Sequence, residues 1–282
     1  MKTNKNRGVK SNLLPLYLKN KRIGKIHSKF NKGLNVQFED SLIYISSVGM
    51  PLAAFGLNID EDKLRQILYS TKINDVVVNK GGKLVFYSIN EIINVDYKAI
   101  EEVNLKLPQI KCNPRDVSNT KLYNYLVNIE FQKYIGIELN EITCKYIKLL
   151  LDSHKSDLDI NYEIINFFSG RGKGLTPSGD DILTGFTLAL MSFDNFNKFD
   201  IWIRSLKFGV NKNRTTMISV AYIKALLEGY LSQYFIELVK LIDEEDQDVI
   251  ERTIKKVQSF GHTSGNDTLF GFFLGLKFLI KQ

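Results

Sequence analysis

The apolar positions of the first hundred residues fall in short runs rather than in long helical tracks. Residues 23–30, 36–38, 42–48, 52–58, 76–79 and 84–89 are rich in β-branched and aromatic side chains. Turn-forming residues punctuate them, as in Asn31-Lys32-Gly33 and Asn79-Lys80-Gly81-Gly82. This pattern predicts strands, with a single helix over 60–70 among them. Strands so closely spaced, without long intervening helices, suggest an antiparallel barrel or sandwich. After Leu107 the period changes. Pro108 and Pro114 bracket a linker, and beyond it apolar residues recur at helical spacing. Leu122, Leu126, Ile129 and Lys133 lie on one track, and Ile142, Tyr146, Leu149 and Leu150 on another. Further helices are expected over 160–168, 177–191, 215–227, 232–241, 246–258 and 264–280. The expected class is α+β: a β-rich N-terminal barrel or sandwich over 1–107, then a mainly helical domain over 115–282.

The candidate chemistry lies in the helical half. Residues 170–181 read GRGKGLTPSGDD. Gly170, Gly172, Gly174 and Gly179 allow positive φ and close approach to the backbone, and Arg171 and Lys173 stand between glycines where they can reach an anion. Thr176-Pro177 marks a helix start, a hydroxyl cap followed by proline. Ser178 and Gly179 follow, and Asp180 and Asp181 fall in the first turn, where the helix dipole favours negative charge and free N–H groups can bind an anion. Two readings stand here. The residues either cap a helix, or form a site in which the aspartates hold magnesium beside substrate oxygens.

A second segment bears on that choice. Residues 261–276 read GHTSGNDTLFGFFLGL, and one gap at Pro177 aligns them with 174–190 at ten positions. The pairs include Thr176 with Thr263, Ser178 with Ser264, Gly179 with Gly265, Asp181 with Asp267 and Gly185 with Gly271. Small residues follow at i and i+4 in each copy, Gly185 with Ala189 and Gly271 with Gly275. Such spacing lets two helices cross closely. The two helices are therefore expected to pack together, their N-termini converging on one pocket with Asp180, Asp181 and Asp267 facing the same ligand. A duplication kept only for packing is the alternative.

A third helix start, residues 213–219, offers Arg214 and Thr215. Arg214 is either a bidentate clamp for a carboxylate or phosphate, or a surface cation beside a cap. His262 is the one histidine inside a motif, as a general acid or base or as a loop residue bonded to a helix end. No nucleophile elbow, zinc spacing, phosphate-binding P-loop or dinucleotide fingerprint occurs. Ser178 stands between Pro and Gly, an unsuitable setting for a covalent nucleophile.

Composition narrows the field further. With 44% hydrophobic and 24% charged residues the chain is of ordinary globular type. Cys112 and Cys144 lack companions at metal-ligand spacing, which fits a reducing, cytoplasmic setting rather than a disulfide framework. The net charge of +7 comes from scattered lysines, with no basic stripe interleaved with aromatics, so no nucleic-acid partner is expected. The basic N-terminal run lacks the apolar stretch of a signal peptide, and the apolar window at 269–280 is too short to span a bilayer, so no membrane role is expected.

The stretch GRGKGLTPSGDDILTGF resembles the GxGxGLTPSGDDxLxG signature of a bacterial domain family that includes the AllH subunit of oxamate carbamoyltransferase, from anaerobic allantoin breakdown. The likeness extends to GHTSGNDTLFGFFLGL, to Arg214–Ser219, and to Ser28-Lys29-Phe30, Asn35 and Gly49-Met50-Pro51. The resemblance implies a multi-subunit enzyme with two partner subunits and a divalent metal. That enzyme would interconvert oxalurate plus phosphate with oxamate plus carbamoyl phosphate. The residues agree in kind: carbamoyl phosphate and oxamate are anions, and Arg171, Lys173, Arg214 and the two helix starts would hold them. Two alternatives remain beside it: a small-anion-binding or regulatory protein without turnover of its own, and a magnesium-dependent hydrolase.

Overall fold

The computed structural model describes residues 8–110, 112–152, 156–193 and 199–282. His154 and the first seven residues of the basic N-terminal run lie outside them. The chain divides into two compact units, one of Met1–Lys106 with Tyr230–Gln233, the other of Leu107–Gly229 with Tyr234–Gln282.

Among the described residues the first unit is built on one sheet of nine strands. In chain order they are β1 (Val9–Ser11), β2 (Ile23–Phe30), β3 (Gly33–Phe38), β4 (Ser41–Ser47), β5 (Gly56–Ile59), β6 (Val76–Lys80), β7 (Lys83–Tyr87), β8 (Ile92–Asp96) and β9 (Glu101–Val103). The short helix α1 (Leu14–Leu18) follows β1, and α2 (Glu61–Ser70) follows β5. The spatial order is β8-β7-β6-β2-β3-β4-β5-β1-β9, and the sheet curls into a half-barrel. Most neighbours are antiparallel, as the short turns between runs require. β4 with β5 and β1 with β9 are parallel, a departure from the all-antiparallel expectation. Residues 52–55 are not strand, because Gly56 donates back to the Ala53 carbonyl and turns the chain just before β5. Alternate residues such as Leu34, Val36, Phe38, Ile43 and Ile45 fill the core with Leu64 and Ile67 of α2. Asp60 caps α2 by accepting from Asp62 and Lys63 N–H.

The second unit is helical: α3 (Lys121–Val127), α4 (Glu141–Asp152), α5 (Leu158–Phe168), α6 (Ser178–Ser192), α7 (Asp200–Gly209), α8 (Met217–Leu227), α9 (Gln233–Lys240), α10 (Gln247–Gln258) and α11 (Ser264–Ile280). The track through Leu122, Leu126, Ile129 and Lys133 is not one helix. α3 stops at Asn128, and a separate 3-10 turn covers Phe131–Lys133. α7, which buries Trp202, Ser205, Leu206 and Gly209, has no counterpart among the expected helices. Every residue of α6 is buried, which makes it the central helix of the unit. Among the described residues no helix is long and apolar enough to cross a membrane.

Candidate functional site at two paired helix starts

α6 and α11 lie against each other along a stripe of small residues. A side chain on Gly185 would collide with the Thr268 carbonyl, and one on Gly271 with the Ile182 carbonyl. One on Gly275 would meet Ala189 and the Phe186 backbone. The contacts advance in the same direction on both helices, so they run parallel and begin at the same end. The relation is also reciprocal. Gly185 aligns with Gly271 and Ile182 with Thr268, so each glycine rests on the equivalent carbonyl of the other copy. The repeat legible in the sequence is thus a local two-fold in space.

The two-fold takes in the preceding helices. Gly179 presses on the Phe168 carbonyl at the end of α5, and Gly265 on the Val257 carbonyl near the end of α10. Each unit is therefore helix, loop, helix. The first loop depends on positive φ at Gly170, Gly172 and Gly174. Neither α6 nor α11 has a side-chain cap. Thr176 does not cap α6 as expected, because Pro177 takes the capping position. The Thr176 hydroxyl instead shares a 2.7 Å hydrogen bond with that of Ser264, joining the two helix starts directly.

Asp181 and Asp267 stand four residues before Gly185 and Gly271, on the same stripe of each helix. The stripe that forms the crossing therefore brings them together. Asp267 is 0% and Asp181 9% exposed. One oxygen of each, Oδ2, is buried with no hydrogen-bond partner. Burial pushes the Asp181 carboxyl well above the ordinary aspartate range and the charge of Asp267 adds to it, while the Ser264 and Thr176 hydroxyls beside it pull the other way. Burial raises Asp267 too, against the Gly136 N–H and the Thr263 and Ser178 hydroxyls. Each aspartate thus has the Thr of its own copy and the Ser of the other beside it.

Asp180 is differently engaged. It accepts from Gly170 N–H at 2.9 Å and from the Thr215 hydroxyl, and so holds the loop and the start of α8 to α6. Burial raises its pKa, opposed by these bonds. Asn266, its equivalent, exchanges hydrogen bonds with Gln258 at the end of α10. Among the described residues no three His, Cys, Asp or Glu side chains come together as a metal-holding group, so the expected cluster of Asp180, Asp181 and Asp267 reduces to a pair.

The other candidates divide in the same way. Gly179 and Gly265 N–H groups are taken by the Arg171 and Phe260 carbonyls, and both residues serve packing rather than anion capture. Arg171 lies over the Phe167 ring at 3.9 Å and donates Nε–H to the Phe167 carbonyl. Lys173, Arg214 and His262 are exposed. Thr215 is committed to Asp180, and the Thr216 hydroxyl donates to the Leu175 carbonyl, so this third segment buttresses the first loop.

Gly136, between the 3-10 turn and α4, escaped the sequence reading. Its N–H donates to Asp267 Oδ1 at 2.8 Å. A side chain there would strike the Ser178 hydroxyl and lie 2.7 Å from that of Thr263 and 3.3 Å from Asp267 Oδ2. A lone glycine in an otherwise unremarked loop was the only signal it offered.

Among solved structures the chain has no match. Residues 168–276, which span both copies of the motif and the helices that cross between them, match the family model described as oxamate carbamoyltransferase subunit AllH.

Proposed function

We propose that the chain is a subunit of an enzyme of the oxamate carbamoyltransferase type, and that it contributes the site between α6 and α11 to an assembly with partner subunits. The observation that carries this reading is the pair of free, buried carboxylate oxygens at two helix starts inside the residues that match the family. The reaction is phosphate attack on the carbamoyl carbon of oxalurate. A phosphate oxygen bonds to that carbon, the carbon–nitrogen bond to the oxamate nitrogen breaks, and that nitrogen takes up a proton. Both substrates and both products are anions. Two helix N-termini without side-chain caps offer them the partial positive charge of the helix dipoles. The exposed Lys173 and Arg214, and the Arg171 guanidinium over the Phe167 ring, add full charges. His262, exposed in the second loop, is a candidate for the proton at the leaving nitrogen.

A divalent cation, with magnesium the candidate, fits the residues present. Two free carboxylate oxygens amid hydroxyls are hard donors, and magnesium takes one or two carboxylates and completes its shell with water and substrate oxygens. When bound it supplies positive charge to oxygens that become more negative during transfer.

The test is reconstitution. The chain is co-purified with its candidate partner subunits, and phosphate-dependent formation of carbamoyl phosphate from oxalurate is followed with magnesium present. Turnover is expected in the assembly, with losses on the order of a hundredfold in Asp181→Asn and Asp267→Asn, as for removal of one preorganised charge-stabilising group. An assembled complex that forms no carbamoyl phosphate refutes the reading.

A further inference from the structure

The local two-fold separates the acidic residues into two kinds. Asp180 and its equivalent Asn266 are turned back to the preceding loop and helix end, and their hydrogen bonds are made there. Asp181 and Asp267 lie on the crossing stripe, and each keeps one buried oxygen without a partner. One copy of the motif supplies one such oxygen, and the second copy supplies the other. A carboxylate oxygen removed from water without a compensating group is costly, and two of like charge near each other more so. A proton on Asp181 removes one charge but leaves both oxygens unpartnered; a positive group that accepts oxygen donors resolves both. It must also serve both copies alike, since their surroundings are alike: a Thr and a Ser hydroxyl beside each aspartate.

We propose that Asp181 and Asp267 bind one divalent cation between the two copies, with one carboxylate oxygen from each, and that Asp180 holds the loop and is not a ligand. This deepens the proposed function, resting on it only for the cation's purpose. The donor set assigns the class of metal. Carboxylates and hydroxyls without His or Cys suit magnesium, manganese or calcium and disfavour zinc or copper. The charge count agrees: two carboxylates balance one divalent ion, and neither copy alone has enough ligands to hold one.

The experiment uses the full chain alone, freed of metal by chelation, with Mn²⁺ as the probe. Calorimetric titration and the paramagnetic resonance signal of free Mn²⁺ give stoichiometry and affinity without any enzymatic assay. The expected result is about one Mn²⁺ per chain, displaced by Mg²⁺, with affinity reduced at least about tenfold in both Asp181→Asn and Asp267→Asn, the scale on which even the supporting shell of a metal site is felt. Asp180→Asn, checked for fold by circular dichroism, is expected to keep the ion within a few fold. No uptake by the unaltered chain, two equivalents, or undiminished binding in either the Asp181 or the Asp267 variant overturns the proposal. The stoichiometry of the unaltered chain decides even if a variant fails to fold. The two readings also fail separately. An assembly inactive in carbamoyl transfer whose subunit takes up one Mn²⁺ sinks only the function. An active assembly that is insensitive to chelator, with a subunit that takes up none, sinks only the cation.

Discussion

At the scale of single residues, Asp181 and Asp267 make the folded chain sensitive to pH in an uncommon direction for carboxylates. The Asp181 carboxyl holds its proton in the folded state well above the ordinary value of 3.8, chiefly through burial and then through the charge of Asp267. An unfolded chain releases that proton at about the ordinary value. Folding stability is therefore full below that pH and falls as pH rises through the raised folded value, each unit of difference being worth about 1.4 kcal/mol. In Asp181→Asn this loss disappears and Asp267 is relieved of a like charge. In chelator, urea denaturation of the variant and the unaltered chain should show a stability gap in the variant's favour that widens from about pH 4 towards neutrality. A gap that stays constant or narrows contradicts the buried repulsion. The residues also mark the limit of what could be read beforehand. Asp181 and Asp267 were legible because a repeat singled them out. The use of Asp180 as a tie was not, since adjacent aspartates look alike in sequence and only the backbone shows which one turns towards Gly170. Gly136 carries no pattern at all, because its importance is a matter of what it lacks.

Among the elements, the crossing of α6 and α11 depends on backbone touching backbone. Gly271→Ala would put a methyl group on the Ile182 carbonyl, and Gly185→Ala on that of Thr268, with main chain rather than a movable side chain in the way. Overpacking of this kind costs about 1–3 kcal/mol. Each single variant should therefore lower the midpoint of thermal unfolding by several degrees, and by similar amounts, because the two sites are equivalent. An unchanged midpoint would show that the helices can part without penalty. The succession of strands and then helices was clear from the period of the apolar residues, and the crossing from the small residues at i and i+4. β8 went unread although Ile93 and Val95 are buried in the core, and other missed elements are held by more than apolar side chains. β1 carries a buried lysine, Lys10, whose ammonium donates to the Ile100 carbonyl at 2.8 Å. β9 is Glu-Glu-Val and joins the sheet through its backbone. α7 keeps Ser205 and Gly209 on its inner face.

On the scale of the whole molecule, the chain does not finish one unit before beginning the other. Tyr230–Gln233, which follows α8 and includes the first residue of α9, belongs to the sheet unit, where Leu231 N–H donates to the Leu105 carbonyl and Gln233 N–H to that of Leu52. Removing residues 1–106 therefore strips a segment of the remaining chain of its backbone partners. The truncated protein is expected to unfold at lower temperature, with early proteolytic cleavage near 230–233, and a truncation as stable as the intact chain would contradict this. The glycine crossing has a consequence at this scale too. With glycines and the methyl of Ala189 at the crossing, no rotamer of a long side chain sets the spacing of the two backbones at their shared end. The span across which Asp181 and Asp267 face one another is a gauge cut in main chain, one helical turn from where it is measured. Discrimination between guests of different radius then belongs to the glycines as much as to the acids. An altered preference could evolve at Gly185 or Gly271 with every polar group at the mouth left in place.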